Sequence, residues 1–516
     1  MFFYIKYRLG SGGDKKGALR YGAFDVKEVP GGVILTAEGC EKRDIAIKQK
    51  EDSELIDKRI VHNVLEAALA TGGDYSELFA EDTEHNTIVM TEGKVENAGY
   101  KRVNGAGVRV LLGNRCVYAY TSGNDEKSLM ATARAAACAL KGAREHQAAP
   151  VCVSRVGSYA PRIPYSEIDN AARVALMRRA SDAARAYSGE ITQVVAKYVD
   201  VDQRMMVANS LGVWGEDRRP RGRVFMHVVA MKGSEAQVGD VAPGHGEGFE
   251  QFRHYDMEAI GAKAAKRAVT MLHAPQCSAG AMPVVISGGF GGVILHEACV
   301  HSLEATCVAK GNSEFCNMLG ETVASPIVTA VDDGTLPGEW GSIRFDDEGT
   351  PSQRNVLIEN GILKSYLVDY RSSRMMNHPL TGSSRRESYA FAPTSRMTNT
   401  FFAPGGDDDE EMIRTMGTGL FAAAMGGGSV NPLTGEFNFA VNEAYWVKDG
   451  KIFSPVRGAT LIGKGAEVLK KIDRIGRDMW MDPGMCGSSS GSIPTNCGQP
   501  RIRVTDIVVG GKGDRL

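Results

Sequence analysis

The stretch VILHEACVHSLEAT places His296, Glu297, His301 and Glu304 among apolar neighbours on every side. That setting reads as a buried helix, and buried polar groups must find partners. Two imidazoles with an adjacent carboxylate are the parts of a hydrolytic zinc site. Neutral ring nitrogens hold the ion, and the carboxylate, Glu297, accepts a proton from its water. The spacing resists this on a regular helix: His296 and His301 are five steps apart, about 500° of rotation, and diverge by about 140°. The imidazoles of an HExxH motif diverge by only about 40°. A π-bulge would bring His296 and His301 together, so the spacing predicts a widened or broken turn between them. On a regular helix the facing set would be Glu297, His301 and Glu304, an oxygen-rich site suited to manganese or iron and to an oxidoreductase or lyase.

Other chemistry-bearing residues have plainer readings. Arg385, Arg386, Glu387 and Tyr389 form a charged strand, although Tyr or Arg could also donate to a developing oxyanion. Gly288 to Gly292 lacks the GxxxxGK[ST] pattern of a phosphate cradle and is read as tight packing. The acidic run at 407–411 suits the positive end of a helix. Ten cysteines occur without a CxxC pair, which fits free thiols in a reducing compartment. Cys299 is read as a small buried hydrophobe pointing away from any ion, and Cys497 as structural.

Four separated motifs carry a resemblance: HEACVHSLEA, SSRRESYAFAPTSRMTNT at 383–400, GATLIGKGAEVLKKI at 458–472, and GMCGSSSGSIPTNCGQPRIRV at 484–504. Together they resemble the TldD branch of the TldD/PmbA family of zinc metallopeptidases, in order from about residue 58 onward. The resemblance implies a zinc ion held by both imidazoles of HExxxH and by a distant cysteine, which maps onto Cys486. A thiolate is a strong soft ligand, and three protein ligands leave the fourth position to water. It further implies hydrolysis of unfolded or extended peptides through a metal-activated water, including leaders of modified peptide natural products. The implied partner is a PmbA (TldE) type subunit, or a second copy of the chain. Tyr389, Arg385, Arg386 and Glu304 are then candidates for oxyanion donor or for a group supporting the ligands.

The family pattern has Gly before the second His and Asp soon after LEA, where this chain has Val300 and Thr306. The turn must therefore form without left-handed backbone, and an imidazole could lose a supporting carboxylate. These departures define an alternative, a non-catalytic regulatory or binding subunit that keeps the zinc.

The elements that must position these residues follow from composition and pattern. The chain has 516 residues, 60 Lys plus Arg against 62 Asp plus Glu, and 43% hydrophobic content. A net charge of −2 argues against nucleic acid as partner. No apolar run is long enough to span a membrane, and Lys6 and Arg8 interrupt the opening MFFYIKYRLGSGG before a signal-peptide core could form, so a cytoplasmic protein is expected. Residues 1–57 read as an N-terminal extension, 58–150 as an α/β unit, 151–275 as a middle α+β unit, and 276–516 as the metallopeptidase unit. Ser166 is the expected N-cap of a helix over 166–187. ITQVVAKYVDVD and RMMVANSLGVWGEDRR suggest a hairpin that RGRVFMHVVAMKG extends. Hairpin turns at IleGluAsnGly (358–361) and LysAspGlyLys (448–451) place strands in antiparallel pairs. The fold class is α+β, a large, mostly antiparallel or mixed sheet with packed helices, as the TldD/PmbA resemblance implies.

Overall fold

The computed structural model describes residues 24–29, 32–37, 55–140, 142–157, 160–431 and 433–513, divided into units 1–54 and 55–516. In the first unit, strands Phe24–Val29 and Gly32–Ala37 form an antiparallel hairpin with Val29 opposite Gly32. The rest of the expected extension up to residue 54, with Cys40 and the opening MFFYIKYRLGSGG, lies outside the described residues.

Residues 55–516 are α+β, with strands in several sheets. The largest has eight strands. Its centre is four long antiparallel neighbours in the order Val213–Lys232, Ile191–Asn209, Tyr75–Thr91 and Lys94–Leu112. The hairpin expected near 191–217 is larger than its sequence suggests. Apolar alternation continues through VDVDQRMM without a turn residue, so one strand runs from Ile191 to Asn209 and reverses only at Gly212, whose φ is +86°. Pro220 lies within the next strand, between the stretches 213–217 and 222–223 that pair with a further strand, where a missing donor is tolerated.

Alternation gives this sheet two different faces. Leu78, Ala80, Val224, Met226 and Val228 point to the side covered by helices Lys58–Ala68, Glu126–Cys138, Asn170–Ala186 and Met257–His273. Burying each such Leu, Val or Met contributes about 1.5–3 kcal/mol. All four helices begin at an aspartate: Asp57, Asp125, Asp169 and Asp256 each accept a backbone N–H two or three residues on. Ser166 is therefore not the cap. It sits in the 3₁₀ turn Tyr165–Glu167, and Asp169, accepting from Ala172 N, starts the helix at Asn170. The opposite face meets the C-terminal part of the chain, where Phe79, Met205 and Val207 pack with Phe345.

That C-terminal part holds a five-stranded barrel of Gly280–Ile286, Gly419–Val430, Glu436–Lys448, Thr460–Lys464 and Ile502–Gly510. Its ring closes because the first strand pairs with both the second and the last. Asn360-Gly361 and Asp449-Gly450 make the two anticipated hairpin turns with positive φ. The acidic run starts helix Asp409–Arg414, capped by Asp408. A six-stranded sheet ends in the hairpin Gly491–Gln499 and Trp480–Ser488, the latter at its edge, with Cys486 opposite Ile493. Helix Val293–Ala298 lies in the largest core, with Leu420, Phe439 and Leu461 of the barrel and Phe402 and Ile493 of this sheet. A Cβ on Gly292 would stand 2.5 Å from the carbonyl oxygen of Gly498, so glycine alone lets the start of the helix press against that hairpin. Among the described residues no helix is long and apolar enough to cross a membrane.

Candidate metal centre

The regular turns end after Ala298. Cys299 adopts φ −132° and ψ −58°, and the chain continues as a 3₁₀ turn over Val300–Leu303. The turn between the two imidazoles is thus broken, not widened into a π-bulge, and although no regular helix runs through them, Glu297 and Glu304 still both lie beside His301. Val300 takes no positive φ, so the break needs no glycine there. Its consequence is that the rings of His296 and His301 stand edge to face, 5.0 Å between centroids and 89° between planes.

Cys486 reaches both rings from the edge strand. Its Sγ lies 3.3 Å from His296 Nε2 and 3.2 Å from His301 Nε2, and the three donor atoms all fall within 4.8 Å of one another. Bonds of about 2.3 Å to sulfur and 2.0–2.1 Å to nitrogen at tetrahedral angles place S and N about 3.5 Å apart. The residues therefore fit a zinc ion in both donor chemistry and spacing. Burial alone would push the Cys486 thiol up, but the charges and hydrogen bonds of His296 and His301 outweigh it and hold it at about 4. Burial likewise opposes charge on His301, yet the Glu304 carboxylate and the Cys486 sulfur lift the ring to about 10. The His296 ring is also raised, burial being outweighed by the sulfurs of Cys497 and Cys486.

Two carboxylates flank His301. Glu297 Oε2 is 3.6 Å from Nε2, on the more open side, and Glu304 Oε1 is 3.2 Å from Nδ1. The second contact fixes the ring with Nε2 toward the sulfur. His296 Nδ1, in contrast, is buried with no hydrogen-bond partner among the described residues. Thr306 exchanges hydrogen bonds with Ser395 instead of supporting a ring.

Arg396 escaped sequence reasoning. Fully buried, it donates from Nη2 to the Cys486 carbonyl at 2.5 Å, from Nη1 to Ser490 Oγ and Gly491 O at 3.0 Å, and sets Nε 3.7 Å from Glu304. One side chain thus ties the sulfur-bearing strand to the carboxylate behind His301. An arginine among hydroxyl and apolar residues in TSRMTNT was the available signal.

The other candidate donors are not gathered at the three ligand atoms. Arg386 is committed to Glu77 at 2.7 Å and the Asp347 carbonyl at 2.9 Å, and stacks 4.3 Å over Phe79. Tyr389 lies against the large sheet, its N–H on Glu81 and its ring edge-on to Tyr120. Arg385 donates to the carbonyls of Met397 and Pro494, the latter facing Met485 across the hairpin. Cys299 is buried in the core, where desolvation pushes its thiol up, and the nine described cysteines are free.

Family patterns described as the PmbA/TldA metallopeptidase C-terminal domain, central domain and domain 1 match residues 279–511, 163–272 and 76–139. The chain belongs to the PmbA/TldD metallopeptidase family. Within that family it is 34% identical over 448 residues to the metalloprotease TldD homolog of Haemophilus influenzae, covering 85% of this chain and 93% of that one. A zinc metalloprotease TldD homolog of Saccharolobus solfataricus is 28% identical over 261 residues, 50% of this chain and 58% of the relative. Among solved structures, TldE from Thermococcus kodakarensis shares the fold with a TM-score of 0.71 at 17% identity, over 88% of this chain and all of that one. This PmbA/TldD chain is a homologue of TldD-type metalloproteases that carries both imidazoles and the thiol of the cluster.

Proposed function

We propose that the chain is a zinc-dependent peptidase acting on unfolded or extended peptides, with His296, His301 and Cys486 as zinc ligands and Glu297 as general base. The observation that carries this reading is the meeting of two imidazoles and one thiol with Glu297 beside them on the open side. Bound there, zinc supplies Lewis acidity that polarises a peptide carbonyl and eases deprotonation of water. Glu297 takes the proton from the attacking water and returns it to the departing amine. Glu304 keeps His301 oriented, and Arg396 holds the Cys486 backbone in place. Burial supports extended substrates: His296 and Cys486 are 3% and 5% exposed, which suits a single extended strand better than a folded surface.

Likeness to TldE in fold supports work beside a TldE-type subunit, with a homodimer as the other arrangement, and the free thiols support a cytoplasmic setting. Glu297→Gln tests the base: it is expected to keep one zinc per chain and lose about 10²- to 10⁴-fold in peptide hydrolysis. The assay uses unstructured casein, with and without a TldE-type subunit and a chelator. Undiminished cleavage by purified variant would remove Glu297 from its role. A wild-type chain that binds zinc but never cleaves would favour a regulatory subunit.

A further inference from the structure

A cavity of about 400 Å³ lies between the helix-free face of the large sheet and the C-terminal part of the chain. Strand Val213–Lys232 presents Arg219, Arg221 and Arg223 to it, since alternate residues of a strand share a face. Arg385 enters from the opposite wall. Arg219 is neutralised by Asp217 at 3.0 Å and Asp347 at 2.7 Å. The other three have no carboxylate within 4.0 Å among the described residues, and hold only carbonyl oxygens: Trp340 and Ser342 for Arg221, Ala242 for Arg223, Met397 and Pro494 for Arg385. Arg221 and Arg385 are nonetheless 5% and 3% exposed.

Buried guanidinium groups without a contacting carboxylate are costly, and here only more distant acids offset that cost: Asp217 and Asp347 for Arg221, Asp482 for Arg223, Asp347 and Asp332 for Arg385. Burial, with neighbouring guanidinium groups around Arg221 and Arg385, pushes Arg221 down to about 9 and Arg223 and Arg385 to about 10, so all three stay charged at neutral pH. The acids on the walls are occupied. Glu81 accepts from Thr83, Gln203 and Tyr389 N, Asp347 from Arg219 and Arg386 N, and Glu387 from Ser492 N. The cavity also borders the hairpin that carries Cys486. Met485 and Pro494 line it and form the cross-strand pair next to Cys486 and Ile493, with successive residues pointing to opposite faces of the hairpin.

We infer that this cavity receives a carboxylate of the peptide substrate, either its C-terminal carboxylate or an Asp or Glu side chain. Guanidinium forks match that planar anion with paired hydrogen bonds. The inference rests on the peptidase reading above. Its test is kcat/KM on one unstructured fluorogenic peptide in three forms: free C-terminus without acidic residues, C-terminal amide without acidic residues, and C-terminal amide with one Glu. The wild-type chain should favour one carboxylate-bearing form over the neutral amide by about tenfold or more, and which form is favoured identifies the source. In Arg221→Gln that ratio should fall toward one, chiefly through KM. Because Arg221 also ties down two carbonyls, Arg223→Gln provides a second reading of the same ratio. Equal cleavage of all three peptides by the wild-type chain, or a preference that survives in both variants, overturns the carboxylate site while leaving the peptidase standing. Failure to cleave any form both alone and with a TldE-type subunit present overturns the peptidase reading and this inference with it.

Discussion

At the scale of single residues, the cluster is a thiolate held between two protonated rings until a metal displaces the protons. Cys486 is held at about 4 and His301 at about 10, and the His296 ring is raised above its ordinary range, so the metal-free site at neutral pH favours thiolate and protonated rings. Zinc requires the thiolate and neutral rings, so binding expels ring protons. Affinity should therefore rise with pH, by more than about one log unit per unit between pH 7.5 and 8.5. Ordinary Cys and His values would give less than about one. Competition with a chromophoric chelator across that range measures the slope, and a slope below one contradicts the coupled cluster. HExxxH was legible as a cluster in need of partners, because imidazoles and a carboxylate stand among apolar residues, but its spacing alone suits a hydrogen-bonded core as well as a metal. Cys486 was legible only through resemblance, since nothing local marks a ligand on a different strand, and Arg396 acts through a backbone carbonyl that no residue pattern encodes.

At the scale of elements, the sequence reading anticipated that a regular helix cannot present His296 and His301 together and that the turn between them is widened or broken, but not which of the two. The chain breaks at Cys299 and resumes as a 3₁₀ turn, a choice set by the packing of Val300 and Leu303 into the surrounding core. Helix starts show the same limit: Ser166 and Asp169 are both good caps, and only the fold selects Asp169. The glycine run before the site was read correctly as a packing device, and this has a measurable consequence. Gly292→Ala places a methyl group against the Gly498 carbonyl, which should cost about 1–3 kcal/mol and weaken zinc binding by displacing the helix that bears His296. Urea unfolding and zinc titration of the variant check both. Wild-type values in both would show that the helix can shift without moving the ring.

At the scale of the whole second unit, the α+β class was legible from hairpin spacing and turn residues, while the way the large sheet meets the C-terminal part was not. Buried ion pairs span that junction: Glu77 of the sheet accepts from both Arg109 and Arg386, and Arg109 also reaches Glu348. In sequence, Arg386 read as part of a charged strand or as an oxyanion donor, and not as a buried ion-pair partner, because Glu77 lies more than 300 positions earlier. Arg386→Met removes one arm of that network and should cost about 3–5 kcal/mol in urea unfolding, since Asp347 and Glu77 lose a buried donor. A purely catalytic Arg386 would instead lower activity with stability intact.

The shell around the metal distinguishes this centre from any other, and zinc K-edge X-ray absorption of the purified chain reads it directly. One sulfur at about 2.3 Å and nitrogen or oxygen neighbours at about 2.0–2.1 Å, two of them imidazole, is the expected shell. The sulfur should vanish in Cys486→Ser. A wild-type shell without sulfur, or an unchanged shell in that variant, would contradict the His296, His301 and Cys486 centre.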